Sequence, residues 1–343
     1  MTTRNFSSEH NIDTWISTIE KLTQVDDILR TTFTCISGVW YGVVLKTAKI
    51  AVDVIDVNGT EERKARLDDI SSSYFTFGKP FIRYALLRDT RTGFAELVVK
   101  MDHGLYDGTP LRIIGRRFAA LQRGEARPSS TISRFTDYAK HIANTSQQKR
   151  DAAITYFTDP KRLPTVDATP FPNIEDPVAM SSVWVPGASP GIEAVARDTG
   201  VTIPILFQAA FQIWLTQESG TSSAGYDYLY TGRNVDIPGL DPQEINGCTA
   251  NFLPVRSTPE GSMVEYLQRT QAEFWEMAAH GIVGLDDIYG TVDLDQRTHG
   301  NRTLFLFQPF EAPLAAPIGG RGHEMGRHGG IRGDYASAVR PCL

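Results

Sequence analysis

The chain has 343 residues, 41% of them apolar and 10% aromatic, enough to bury a sizeable core and too many for wholesale disorder. That length suits two domains or one large two-lobed fold. A formal net charge of −6, from 34 basic and 40 acidic residues, argues against a generally basic nucleic-acid binder.

Residues 2–13 are polar and contain no apolar signal region. The longest apolar stretch, residues 203–215, is interrupted by Gln208 and Gln212 and is too short to span a bilayer. The three cysteines, Cys35, Cys248 and Cys342, are scattered and form neither a metal-ligand spacing nor a disulfide framework. The expectation is an intracellular, cytoplasmic chain with no membrane and no nucleic-acid partner.

Along the chain, Ile12, Trp15, Ile16, Ile19 and Leu22 recur at helical spacing and predict a helix over residues 12–29. Trp40, Tyr41, Val43 and Val44 predict a strand at 39–45. The charged run 58–69, opening on Asn58-Gly59, reads as a solvated loop. Two strands are expected at 81–87 and 94–101, joined by a turn that uses Gly93. A helix over 110–122 follows, with Thr109 as N-cap and Pro110 in the first helical position. A helical region at 133–157 precedes a proline-rich stretch, 158–190, the best candidate for a connection between lobes, with a short strand at 183–185. Helices at 191–197, 203–217 and 263–279 and strands at 226–230 and 302–308 complete the ordered part. From Pro313 onward glycine and basic residues replace all periodicity, and a disordered tail is expected. The division is therefore 1–165, 166–312 and a tail at 313–343.

The sharpest local chemistry is Asp102-His103-Gly104-Leu105-Tyr106-Asp107-Gly108, between a strand and a helix. Histidine is the side chain best matched to proton transfer near neutral pH. The helix start beyond it offers free N–H groups and a positive dipole end to a developing oxyanion. By spacing alone the His…Asp pair is better explained by a structural, satisfied histidine, a reading that Gly104 and Gly108 narrow only in part. His323 and His328 lie in the glycine-rich tail and suggest no zinc site, and Cys248, between Gly247 and Thr249, reads as a small hydrophobe. The tail glycines follow no strand, so no dinucleotide fingerprint is present, and Thr221-Ser222-Ser223 lacks a serine-hydrolase elbow.

Segment 102–108, DHGLYDG, resembles the HHxxxDG motif of condensation domains of nonribosomal peptide synthetases, in the fungal terminal version whose first histidine is replaced, here by Asp102. ILRTTF at 28–33, FTDYAKHI at 135–142, TGRN at 231–234, INGCTANFLPVR at 245–256, GLDDI at 284–288 and LFLFQPF at 304–310 are similar to further segments of the family in family order. The family's opening motif has no counterpart, and the elements expected after Phe310 are replaced by the tail, so the resemblance implies a domain truncated at both ends.

The resemblance implies an α/β (α+β) fold of two chloramphenicol-acetyltransferase-like lobes forming a V-shaped pseudo-dimer, incomplete at the N-terminus and in the second lobe, with His103 at the junction. It makes His103 the catalytic base or positioner for an amine or hydroxyl attacking a thioester. Arg30 would pair with Asp107 to hold the loop, Gly108 would either let its N–H approach the carbonyl or serve as a plain turn glycine, and Asp102 would orient the loop. Asn251 and Arg256 would belong to a crossover segment between lobes, and His280 reads as a cation at a helix C-terminus. The implied reaction is amide formation, or release by cyclisation. Substrates would arrive on phosphopantetheine of peptidyl or aminoacyl carrier domains of adjacent synthetase modules, with no metal or nicotinamide cofactor. A standalone CoA-dependent acyltransferase and a non-catalytic fragment that binds a carrier or neighbouring domain are the alternatives.

Overall fold

A computed structural model describes residues 2–6, 12–48, 50–125, 133–163, 191–292 and 303–307. The expected strand at 183–185 and the tail at 313–343 lie outside these residues. The described chain forms two compact units. One holds the residues up to Ala139 together with Asp236–Cys248, and the other holds Lys140–Val235 and the described residues from Thr249 on.

The first unit is built on a mixed four-stranded sheet. Strand β1 (Thr2–Phe6) precedes helix α1 (Ile12–Val25), a 3-10 turn (Asp27–Arg30) and a hairpin of β2 (Thr31–Ile36) and β3 (Val39–Val44). Then come β4 (Val52–Val57), α2 (Thr60–Ser72), β5 (Ile82–Asp89), β6 (Ala95–Met101) and α3 (Gly108–Gln122). The sheet order is β1-β6-β5-β4, with β4 parallel to β5 and the other pairs antiparallel. Alternation along β5 decides which layer each face meets. Ile82, Tyr84 and Leu86 pack with Trp15, Ile19 and Leu22 of α1 and Phe118 of α3, whereas Ala85 and Leu87 meet Leu67 and Ile70 of α2. Residues 58–69 are therefore mostly helix, not loop. Most of the charged sequence TEERKARLDD is good helix formers, from Glu61 to Leu67, and Leu67 and Ile70 supply enough apolar surface for its inner side.

The second unit contains α4 (Phe135–Ala143), which starts in the first, then α5 (Gln147–Phe157), α6 (Ile192–Thr199), α7 (Ile203–Ser219), β7 (Ala224–Tyr230), β8 (Asn251–Ser257), α8 (Met263–Ala279), α9 (Leu285–Thr291) and β9 (Leu304–Phe305). β7 is central, antiparallel to β8 and parallel to β9. Ala224, Tyr226, Tyr228 and Tyr230 are all buried on its inner side. The Tyr226 hydroxyl accepts from Gln208 Nε2 (2.8 Å) and Gln212 Nε2 (2.7 Å), and Tyr266 donates to Gln212, which explains two glutamines inside an apolar helix.

The division falls at 139/140 and not at 165. Ala153 and Phe157 of α5 are fully buried in the second unit's core. The helical region expected over 133–157 is two helices, because Ser146 accepts from Lys149 N and caps a fresh start. Segment 236–248 returns to the first unit, held by Arg116–Glu244 and by Asp241 N donating to Ser133 Oγ at 2.9 Å.

Candidate active site

The loop after β6 is shaped by two short carboxylate turns. Asp102 N donates to Phe81 O (3.0 Å), which holds the strand end, and the Asp102 carboxylate accepts from Gly104 N (2.9 Å). A single 3-10 turn over His103–Leu105 follows, and Leu105, 1% exposed, pins it to the core. Asp107 then accepts from Thr109 N at 2.9 Å and is the N-cap of α3. Thr109, expected in that role, lies inside the first turn with Pro110. An aspartate carboxylate is a strong cap acceptor, and Pro110 lacks an N–H only where the helix leaves one unpaired.

His103 projects from this loop into solvent, and its ring stacks on Tyr106 with centroids 4.6 Å apart and planes at 23°. Gly104 sits in a narrow place, since a Cβ there would meet Asp102 Oδ1 at 3.1 Å and Phe33 Cζ at 3.5 Å. Gly108, exposed, opens α3 with an ordinary negative φ. One strand residue back, Lys100 donates to Ser71 O (2.8 Å) and to Ser73 O, closing the end of α2. Burial first, and Arg83 second, hold its ammonium below the ordinary lysine value.

The expected pairing of Arg30 with Asp107 is not formed. Arg30 Nε donates to Thr23 O (3.2 Å), Nη1 to Leu45 O (2.6 Å), and Nη2 to Asp27. The 3-10 turn puts Asp27 and Arg30 three residues apart on one side, and the carbonyls ending α1 and β3 take the remaining donors. Arg30 therefore ties α1, β2 and β3 together. The buried carboxylate–guanidinium pair belongs to Asp26 and Arg117 instead, 1% and 8% exposed. Burial pushes the Asp26 carboxyl above its ordinary value, and Arg117 and then Asn246 draw it back, although no amide atom of Asn246 completes a hydrogen bond of ordinary geometry. This pair and Tyr106 are the features that sequence reasoning missed. Tyr106 was visible inside DHGLYDG, whereas Asp26 and Arg117 stand 91 positions apart with no spacing to link them.

Several of the second unit's motif residues bond within that unit. Asn251 Nδ2 donates to Gly281 O (3.2 Å) and Val283 O (2.7 Å), and Arg256 Nε to Ser223 Oγ (3.2 Å). Arg233 is buried, and Gly284 N donates to Asp287 at the start of α9. His280 does follow α8, but not as the expected cation. Its ring stacks on Tyr156 at 4.4 Å, and Arg162 lies over the same tyrosine at 3.9 Å. Burial first, and the Arg162 charge in addition, hold its pKa below the ordinary 6.5. Among the described residues, no group of three or more His, Cys, Asp or Glu could hold a metal ion, and no single helix is long and apolar enough to cross a membrane.

Known proteins resemble this chain in sequence and in fold. The nonribosomal peptide synthetase sidE of Aspergillus fumigatus is 41% identical over 319 residues, covering 92% of this chain and 15% of that protein. Nonribosomal peptide synthetase 7 of the same fungus is 35% identical over 324 residues, 92% of this chain and 13% of that protein. The chain thus spans about a seventh of the length of these relatives. The condensation domain of the monacolin K polyketide synthase MokA shares the fold with a TM-score of 0.66 at 16% identity, over 85% of this chain and 70% of that one. The first condensation domain of the calcium-dependent antibiotic synthetase, solved with a substrate analogue, gives 0.61 at 16% identity over 84% and 72%. Residues 2–313 match the Condensation domain family, and the chain belongs to it.

Proposed function

We propose that the chain forms an amide in nonribosomal peptide synthesis by acyl transfer from a carrier-bound thioester to an amine, with His103 as the group that handles the proton. The observation that carries this reading is the presentation of His103: an accessible imidazole on a turn shaped by two carboxylates that each accept from a backbone amide. In the reaction the amine nitrogen attacks the thioester carbonyl carbon and its proton passes to the His103 imidazole. The C–S bond breaks, and the departing thiolate takes the proton. Asp102 and Asp107 are positioning residues, since they hold the loop and touch no substrate in this scheme. Carrier domains of adjacent modules are the proposed partners, and their phosphopantetheine arm is a substrate handle, so the chain needs no cofactor of its own. A cytoplasmic location goes with this reading.

The test is amide formation between two carrier-bound substrates by the wild type and by His103→Ala. Because His103 is exposed, the variant should melt like the wild type while its rate falls by about 10²–10⁴-fold. Undiminished turnover by a folded variant would sink the assignment. Equal use of free acyl-CoA and carrier-bound acyl groups would replace the carrier reading by a CoA-dependent one.

A further inference from the structure

Inside the first unit lies an apolar cavity of about 110 Å³. Ile19 and Leu22 of α1, Val99 of β6, and Ile114 and Phe118 of α3 line it, together with Tyr106 from the His103 loop. Well-packed interiors contain few voids larger than a water molecule. A mostly apolar wall favours apolar guests, a six-carbon ring fitting in about 150 Å³. Tyr106 is shared: the same ring that lines the cavity stacks on His103.

We propose that this cavity is a binding site for the aliphatic end of an acyl group, four or five carbons long beyond the carbonyl by the volume comparison above. The Tyr106 ring would be its threshold, so that a thioester whose chain enters there has its carbonyl at His103. The proposal rests on the thioester reading of His103 and adds the class of acyl group to it. Volume sets the length limit, and the lack of charged side chains on the wall excludes charged acyl groups.

The test measures binding of S-acetyl-, S-valeryl- and S-dodecanoyl-N-acetylcysteamine to the full chain carrying His103→Ala, so that affinity is read without turnover. Each methylene buried is worth about a fourfold gain in affinity, so the three that separate valeryl from acetyl allow up to about sixtyfold. A gain of at least about tenfold is expected after ordering losses, with little more for dodecanoyl. Filling the cavity in that background with Gly115→Leu or, separately, Val99→Phe should bring the valeryl preference down to about twofold or less. Equal affinity for acetyl and valeryl, an affinity that keeps rising to dodecanoyl, or filled variants that fold and keep the preference would each overturn the proposal. Turnover by the wild type separates the two readings. A valeryl preference in binding with no turnover leaves the cavity site standing and removes the catalytic role. Turnover without any preference does the reverse.

Discussion

Arg117→Met removes a guanidinium from a buried pair and keeps most of the apolar stem. It leaves the Asp26 carboxylate, 1% exposed, without its cation. Breaking a buried pair from one side costs roughly 3–5 kcal/mol, a large share of the stability of a domain. The pH dependence carries the sharper signature. Burial already raises the Asp26 pKa above 3.8, and Arg117 is the largest influence opposing that rise. Without Arg117 the folded-state pKa climbs further. A carboxyl with a raised folded-state pKa contributes its stability in full below the unfolded value and loses it as pH rises through the folded value. The deficit of Arg117→Met should therefore be small near about pH 4.5 and reach its full size near about pH 7.5. Hydrogen exchange of α1 and α3 amides across a urea series reads the first unit separately from the second. The double variant Asp26→Asn/Arg117→Met, with no charge left to bury, should recover most of the loss. A deficit below about 1 kcal/mol at neutral pH, or one equal at both pH values, would refute the reasoning.

Other substitutions probe separate parts of the architecture. Asp107→Ala should cost about 1 kcal/mol of first-unit stability through the lost N-cap, and a melt unchanged from wild type would show that α3 needs no cap there. Asp102→Ala should reduce amide formation with little change in melting, because it frees the Gly104 N–H and loosens the turn beneath His103; full activity would remove Asp102 from the positioning role. Gly281→Ala brings a Cβ to 2.8 Å from Tyr230 Cε1 and 3.2 Å from Leu253 Cδ1, both in buried residues, and should cost about 1–3 kcal/mol in the second unit by urea melting. His280, with its folded-state pKa below the ordinary 6.5, binds fewer protons folded than unfolded, so its contribution is present above the unfolded value and lost as pH falls through the folded one. His280→Gln should therefore flatten the fall in melting temperature between about pH 7.5 and 5.5, and an unchanged slope would show that His280 does not cause it.

What could be read from the sequence divides along physical lines. The helices over 12–25, 203–219 and 263–279 were legible because each hides an apolar stripe, and β5 and β6 because they bracket an obvious turn. Strand β8 was hidden by Pro254 and Arg256, and α2 by a surface so charged that its partly covered Leu67 and Ile70 did not stand out. The His103 loop was recognisable as a motif, but its support was misassigned. Arg30 had a plausible distant partner in the string of letters, while a three-residue neighbour, Asp27, was available as soon as the turn formed. Local geometry settles such competitions at little entropic cost, since closing a short loop costs less than closing a long one.

The excursion of residues 236–248 has a consequence for how this chain can be divided. The polypeptide passes between the units near 139/140, 235/236 and 248/249, so neither unit is a continuous stretch that one cut can release. A fragment ending before residue 236 would carry Asp26 and Arg117 but not Asn246, and would leave Arg116 without Glu244 and Ser133 without the Asp241 amide. Heredity imposes the same limit. Recombination that exchanges one unit between two such domains must carry over this thirteen-residue inlay with the first unit, or the graft arrives with part of its own wall left behind in the other parent.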